Sequence, residues 1–183
     1  MPDATGLELI AQELREAQGA GPRAASGSPV LDTDFFRGRA SLRIEPEHVR
    51  SVLESLRGRG YAFMSSLHGV DYHPSEPRLG VQYELLDMAR VDRITVKLRV
   101  PTSAPEVDSV TPAGEDGPGW PAAEFQEREV YDMFGVVFRG HPDLRRILMP
   151  EDYEGYPQRR DFPIGGEPIL FTFNESEKEG SPR

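Results

Sequence analysis

The chain has 183 residues, 37% of them hydrophobic, and a formal net charge of -10. That suits one compact domain with tails, and the acidity argues against binding phosphate backbones with the whole domain or anionic membranes through general basicity. The chain has no cysteine, which excludes disulfides, zinc–thiolate sites and cysteine-ligated iron–sulfur clusters.

Leu7, Ile10, Ala11 and Leu14 recur at i, i+3, i+4 and i+7, which predicts a short amphipathic helix over 4–17. The stretch Q-G-A-G-P-R-A-A-S-G-S-P that follows has a linker composition. Residues 1–29 therefore read as a tethered helix that either packs on its own domain or docks elsewhere. The opening M-P-D-A-T-G-L-E-L-I has no basic region followed by an apolar core, so it is not a secretory signal. No apolar run approaches the ~20 residues that span a bilayer, and a soluble protein on the cytoplasmic side is the expectation.

Residues 30–149 form the expected body. R-A-S-L-R-I-E at 39–45 reads as a strand. Pro46 stands where a helix starts; Val49, Val52, Leu53 and Leu56 give that helix an apolar stripe, and Gly58 and Gly60 stop it. A further strand is expected to about residue 71. Leu79, Val81, Tyr83 and Leu85 then alternate with polar or small residues, as do Ile94, Val96, Leu98 and Val100. Period-2 alternation means one buried and one wet face, which predicts an antiparallel pair joined by a short turn. The order of elements predicts an α+β fold: a two-layer domain with a mixed, largely antiparallel sheet and helices on one face. Residues 101–121 read as a loop, and 121–134 as a helix ended by Gly135. Residues 150–183 read as an extended arm and tail. Tyr153, Tyr156, Phe162, Ile164, Ile169, Phe171 and Phe173 follow neither period, and Pro and Gly interrupt every candidate element. So much apolar surface either wraps its own domain or lies on a partner.

Several residue groups are candidates for chemistry. Glu127, Glu129 and Asp132 offer carboxylates for acid/base work, but on a helix Glu127 and Glu129 point about 200° apart. Arg128 and Asp132, at i, i+4, make ion pairing the simpler reading. His68, Asp71 and His73 resemble a metal triplet, yet on a strand His68 and His73 face opposite sides, and two ligands make no firm site. There is no G-x-G-x-x-G, no Walker lysine and no G-x-S-x-G elbow. What remains is dense charge among aromatics between Glu124 and Asp161. Its cations are all arginine: Arg128, Arg139, Arg145, Arg146, Arg159 and Arg160. Arginine makes planar bidentate pairs and stacks on aromatics, so with Tyr131, Phe134, Phe138, Tyr153, Tyr156 and Phe162 interleaved the composition points to a protein interface rather than a solvated face.

The stretch E-R-E-V-Y-D-M-F-G-V-V-F-R-G-H-P-D-L-R-R-I-L, Glu127 to Leu148, resembles the signature of the 30 kDa subunit, lettered C, of proton-pumping NADH:quinone oxidoreductase, respiratory complex I. Glu127, Arg128, Glu129, Asp132, Met133, Phe134, His141, Arg145, Ile147 and Leu148 fill its constrained positions. Arg146 lies within the same stretch, and L-M-P-E-D-Y-E-G-Y-P-Q-R-R-D-F-P resembles the segment that follows, which brings in Arg159, Arg160 and Asp161. The loop P-A-G-E-D-G-P-G at 112–119 looks longer than is usual in the family, and Gln158 and Arg159 stand where Leu and Arg are usual, so that Gln158 departs from it. The resemblance implies a peripheral-arm subunit at the cytoplasmic side of the cell membrane, without a cofactor or catalytic centre of its own. Its implied partners within complex I are chiefly the quinone-site subunit, lettered D, and also those lettered B and I, with FMN and the iron–sulfur clusters on partner chains. Glu127, Arg128, Glu129, Asp132, Phe134, His141, Arg145, Arg146, Arg159, Arg160 and Asp161 would then be interface residues. The equivalent subunit of a related membrane-bound hydrogenase, a hydrolase using Glu127 or Glu129 with His141, and a free-standing binding module are the alternatives.

Overall fold

The computed structural model describes residues 4–19, 28–112 and 117–163. In chain order these form helix α1 (Ala4–Gly19), strands β1 (Val30–Phe36) and β2 (Arg39–Ile44), and a 3-10 turn (Pro46–His48). Helix α2 (Val49–Gly58) follows, then β3 (Phe63–Asp71), β4 (Leu79–Asp87), β5 (Asp92–Val100), β6 (Glu106–Asp108), α3 (Ala123–Phe134) and β7 (Val137–Arg139).

The sheet has five strands in the order β1-β2-β5-β4-β3. All neighbours are antiparallel except β2 and β5, which run parallel with Leu42 opposite Val96. The alternating residues do what their period dictates. Leu79, Val81, Tyr83 and Leu85 pack with Ile94, Val96, Leu98 and Val100 in one apolar cluster, closed by Val49, Val52, Leu53 and Leu56 of α2. The fold is the expected two-layer α+β domain.

The structure adds three strands. β1 carries V-L-D-T-D-F-F and is mostly exposed; as an edge strand it buries too little to alternate. β6 and β7 are three residues each, too short to show a period. They pair in parallel, Val107 opposite Phe138, so the stretch 101–121 is not loop throughout.

α1 packs on its own domain. Leu7, Ala11 and Leu14 are buried in the common core, and Arg15 Nε donates to the carbonyl of Val30 at 3.3 Å. α3 lies on β3, and Gly69 makes that approach possible, because a Cβ there would overlap the Phe134 ring. α3 ends at Gly135, whose φ of 74° is left-handed, the usual αL stop. Residues 150–163 turn back over this end of the helix, while Ile164, Ile169, Phe171 and Phe173 lie outside the described residues.

Core and surface positions should separate cleanly in denaturant titrations. Leu53 is fully buried and Phe63 is 52% exposed. Leu53→Ala should lower the unfolding free energy by about 2–5 kcal/mol, and Phe63→Ala by less than about 1 kcal/mol.

Candidate functional site

The densest chemistry lies where α3 meets the turn after β7, and one buried carboxylate organises it. Asp132 is fully buried. Its Oδ1 accepts from Arg146 Nη1 at 2.6 Å. Its Oδ2 accepts three successive backbone amides: Ile147 at 3.0 Å, Leu148 at 2.7 Å and Met149 at 2.9 Å. Burial pushes the Asp132 pKa up, but the Met149 amide, the Arg146 guanidinium and the other two amides outweigh it and hold the carboxyl below its ordinary value. Arg146 also donates to the carbonyls of Asp132 (3.2 Å) and Gly155 (2.9 Å), and its guanidinium carbon lies 5.7 Å and 5.5 Å from the ring centres of Tyr153 and Tyr156.

With its amides gathered on Asp132, the tripeptide holds a fixed shape. Met149 packs against the core, whereas Ile147 and Leu148 are left 37% and 60% exposed. Arg128 secures the same turn. It does not form the expected i, i+4 pair with Asp132; instead its Nε and Nη2 donate to the carbonyls of Arg145 (3.1 Å) and Arg146 (3.0 Å). The unpaired ends of that turn outcompete a side-chain pair. Arg128 also lies over Phe125, itself exposed. His141 Nδ1 accepts the Asp143 amide at 3.0 Å, which places the proton on Nε2, facing the Glu124 carbonyl at 3.0 Å. Arg145 pairs with Asp143 at the surface, 2.8 Å away.

A second network holds the 157–163 segment. Arg78 is buried and binds Asp71 through Nε (2.8 Å) and Nη2 (2.7 Å), and Asp161 through Nη1 and Nη2, both at 2.7 Å. The Arg78 guanidinium holds the Asp71 carboxyl well below the usual range. Asp71 also accepts the Arg160 amide at 2.7 Å. Nearby, the Gln158 amide donates to the Met133 carbonyl (3.2 Å) and Arg159 Nε to the Phe134 carbonyl (2.7 Å). These bonds cap the open carbonyls of α3, so up to residue 163 the arm wraps its own domain.

Glu127 and Phe134 point inward too. Glu127 is fully buried, with Oε2 accepting from Ser109 Oγ (2.6 Å) and Oε1 from the Val110 amide (2.8 Å). Burial, set against those two donors, pushes its pKa up to about 7. A carboxylate so enclosed meets no substrate, and His141 is engaged elsewhere, so the two form no hydrolytic pair. Glu129 is exposed. His73 is exposed and its amide donates to Asp71 at 2.9 Å, and among the described residues no three His, Cys, Asp or Glu could hold a metal. Thus Glu127, Asp132, Phe134 and most of the Arg146 side chain are internal rather than surface residues. The exposed surface they support is Phe125, Ile147 and Leu148. Arg78 gave no signal in the sequence; it stands in E-P-R-L-G, and its partners are seven and 83 residues away.

The Complex1_30kDa family model, described as the respiratory-chain NADH dehydrogenase 30 kDa subunit, matches residues 42–168. The NADH-quinone oxidoreductase subunit lettered C from Roseiflexus castenholzii is 45% identical over 84% of this chain and 86% of its own length. Subunit 5 of the same enzyme from Thermus thermophilus is 37% identical over 90% of this chain and 76% of its own. Among solved structures, a trypsin-resistant fragment of Nqo5 matches with a TM-score of 0.59 at 30% identity, covering 75% of this chain and 98% of the fragment. A chain of an archaeal membrane-bound sulfane sulfur reductase matches with a TM-score of 0.64 at 24% identity, covering 98% of this chain and 94% of its own, a likeness of fold.

Two outcomes follow from the buried charges. The Glu127 pKa is raised from 4.5 to about 7, so its favourable contribution is fully present below pH 4.5 and lost as pH rises to about 7. Glu127→Gln removes that loss. Relative to the parent chain it should gain on the order of 3 kcal/mol between acid and pH 8, measured by denaturant titration across pH. Arg78→Ala leaves the Asp71 side chain, only 3% exposed, without its cation. It should cost about 3–5 kcal/mol and make the 157–163 segment newly sensitive to limited proteolysis.

Proposed function

The chain belongs to the family of the respiratory-chain NADH dehydrogenase 30 kDa subunit, and from that membership we propose that it is a cofactor-free structural subunit of the peripheral arm of a proton-translocating NADH:quinone oxidoreductase. It docks on the quinone-site subunit, lettered D, with those lettered B and I as neighbours, and so supports electron transfer from NADH to quinone. FMN and the iron–sulfur clusters belong to partner chains. The complex places it at the cytoplasmic side of the membrane as a peripheral subunit; no helix among the described residues is long and apolar enough to cross a bilayer.

The observation that carries this reading is the Asp132 network. Burying a charge is costly unless it is fully hydrogen-bonded. Here four donors on one carboxylate fix a tripeptide so that two aliphatic side chains face outward. A core needs no such device for residues it does not bury. A rigid, outward-facing Ile147–Leu148 pair, with exposed Phe125 tied to the same turn through Arg128, suits the apolar centre of an interface, and Arg145 and Glu129 suit its polar rim. The carboxylates of the signature thus act through the shape of the turn rather than by touching the partner.

A second reading is the equivalent subunit of a related membrane-bound complex, such as a hydrogenase. The fold likeness to the sulfane sulfur reductase chain favours keeping it. Native purification through a tag on this chain, from gently solubilised membranes, separates the two. Iron–sulfur subunits with an NADH-binding flavoprotein support the first reading, and a nickel-site subunit without that flavoprotein supports the second. Recovery of the chain alone overturns both.

Leu148 is 60% exposed, so Leu148→Asp should leave the melting temperature of the isolated chain within about 2 °C of the parent. Its retention in the complex should fall by at least about 30-fold, the size of a central interface contact. Normal assembly of this variant would remove the turn from the interface.

A further inference from the structure

Of the two fully buried carboxyls of α3, Asp132 is met by a guanidinium and Glu127 is not. The two donors to Glu127, the Ser109 hydroxyl and the Val110 amide, come from the segment that follows β6. Ser109 Oγ also lies 2.6 Å from Thr111 Oγ1 and accepts the Thr111 amide at 3.1 Å. Both hydroxyl residues are buried. With Glu127 ionised, Ser109 donates to the carboxylate and Thr111 donates to Ser109. With Glu127 protonated, the carboxyl donates to Ser109 and Ser109 donates to Thr111. A hydroxyl donates one proton and accepts on two lone pairs, so either arrangement satisfies every contact of the chain. Geometry thus admits both forms, and burial decides between them: an ion there has lost its water without gaining a cation.

The charges around Glu127 are engaged elsewhere. From α2, Arg50 is exposed, donates through Nη2 to the Thr111 carbonyl at 3.4 Å and acts on Glu127 only from a distance. It shares a shallow depression over Val110 with Glu54. From β6, Asp108 pairs with Arg139 of β7 at 2.9 Å. From β4, Tyr83 is fully buried, and burial together with the Glu127 and Asp108 charges holds its hydroxyl protonated. That hydroxyl has no hydrogen-bond partner among the described residues. β3 turns Gly69 to α3 and leaves His68 exposed on its other face. On α3 itself Arg128 donates to the 145–146 carbonyls, and Glu124 and Tyr131 stand three residues before and four after. The ends of the loop at 112–119 are tied to the same segment. The Val110 carbonyl accepts the Trp120 amide at 2.9 Å, and Arg57 Nη1 donates to the Gly119 carbonyl at 2.9 Å. Gly119 lies so close that a Cβ there would be 2.6 Å from the Val110 carbonyl oxygen.

We propose that Glu127 is a proton-operated latch between α3 and residues 109–111. Protonated, it holds the segment and with it the ends of the 112–119 loop. Ionised, it lets the segment part from α3 so that water reaches the carboxylate. The inference stands on this chain alone and does not depend on which complex the chain joins. The two environments of the carboxyl set the direction. Held in place it takes up a proton at about 7, and exposed it does so at its ordinary 4.5. Below pH 4.5 both states are protonated and the latch is tightest. As pH rises from 4.5 the opening equilibrium climbs about tenfold per pH unit, and above about 7 it levels off roughly 300-fold higher.

The Val110 amide is the reporter, because it donates to Glu127 Oε1 and exchanges with solvent when the latch opens. Its hydrogen exchange is followed by NMR in the full chain from pH 5 to pH 8.5. The Val96 amide, on the central strand β5, marks opening of the whole domain. Glu127→Gln is read at each pH so that the intrinsic exchange rate cancels; its Nε2 donates to Ser109 as the protonated carboxyl does. Val110 should exchange faster than Val96 and be insensitive to low guanidinium chloride, the mark of a local opening. The ratio of its rate in the parent to that in Glu127→Gln should rise on the order of 100-fold across the range. The carboxyl-carbon resonance of Glu127 should titrate near pH 7, and Ser109→Ala, which removes one donor, should move that midpoint up. Val110 exchange only in step with Val96 and with guanidinium chloride, a flat ratio of parent to variant, a Glu127 midpoint near 4.5, or a midpoint that Ser109→Ala leaves in place would each overturn the proposal.

Discussion

The hydrogen bonding of one buried carboxylate governs the shape of this molecule's most distinctive region. Asp132 sits on the inner side of α3 and gathers the amides of residues 147–149 and the guanidinium of Arg146. A helix residue and a turn fifteen residues later are thereby made one rigid unit. Arg146 extends that unit to the Gly155 carbonyl and the Tyr153 and Tyr156 rings, so the chain after Pro150 is held by the same charge. The exposed position of Ile147 and Leu148 is a consequence of this network, since nothing in those two side chains favours facing water.

The two buried carboxylates of α3 differ because their donors differ. Both lose hydration. Asp132 regains it from three amides and a cation, and stays below its ordinary pKa. Glu127 has a hydroxyl and one amide, with no cation in contact, and is pushed up to about 7. One helix therefore carries a firmly charged anchor and, five residues earlier, a carboxyl that takes up a proton near neutrality. Both tie α3 to neighbouring chain: Asp132 to the turn that faces outward, Glu127 to the β6 end that faces inward.

Charge on the rest of the domain follows the same logic of what is paired and what is left open. Arg78 is enclosed by Asp71 and Asp161 and pins the 157–163 segment across the mouth of the β3–β4 connection. On the outer sheet face Arg43, Lys97 and Arg99 stand among the carboxylates of Asp32, Asp34, Glu45 and Glu76. The first arrangement is complete within the chain. In the second only Arg43 is paired, with Asp32, among the described residues.

The sequence by itself determined the elements whose burial is periodic. The stripe of α2, the alternation of β4 and β5 and the Gly135 stop of α3 are local consequences of 3.6- and 2-residue repeats and of glycine's access to positive φ. The resemblance of the 127–148 stretch was likewise legible, because that signature is a spacing of residue types. β1, β6 and β7 were not legible: an exposed edge strand and two three-residue strands bury too little to leave a period. Nor could the sequence tell which charges turn inward. Arg128 and Asp132 have the spacing of a helical ion pair, yet each finds its partners in the turn some 15 residues on. Arg78 acquires its role only when Asp161 is folded back beside it. Which of several cations a carboxylate meets depends on how distant segments pack and on which backbone amides they leave unpaired, and that was decided by the tertiary structure alone.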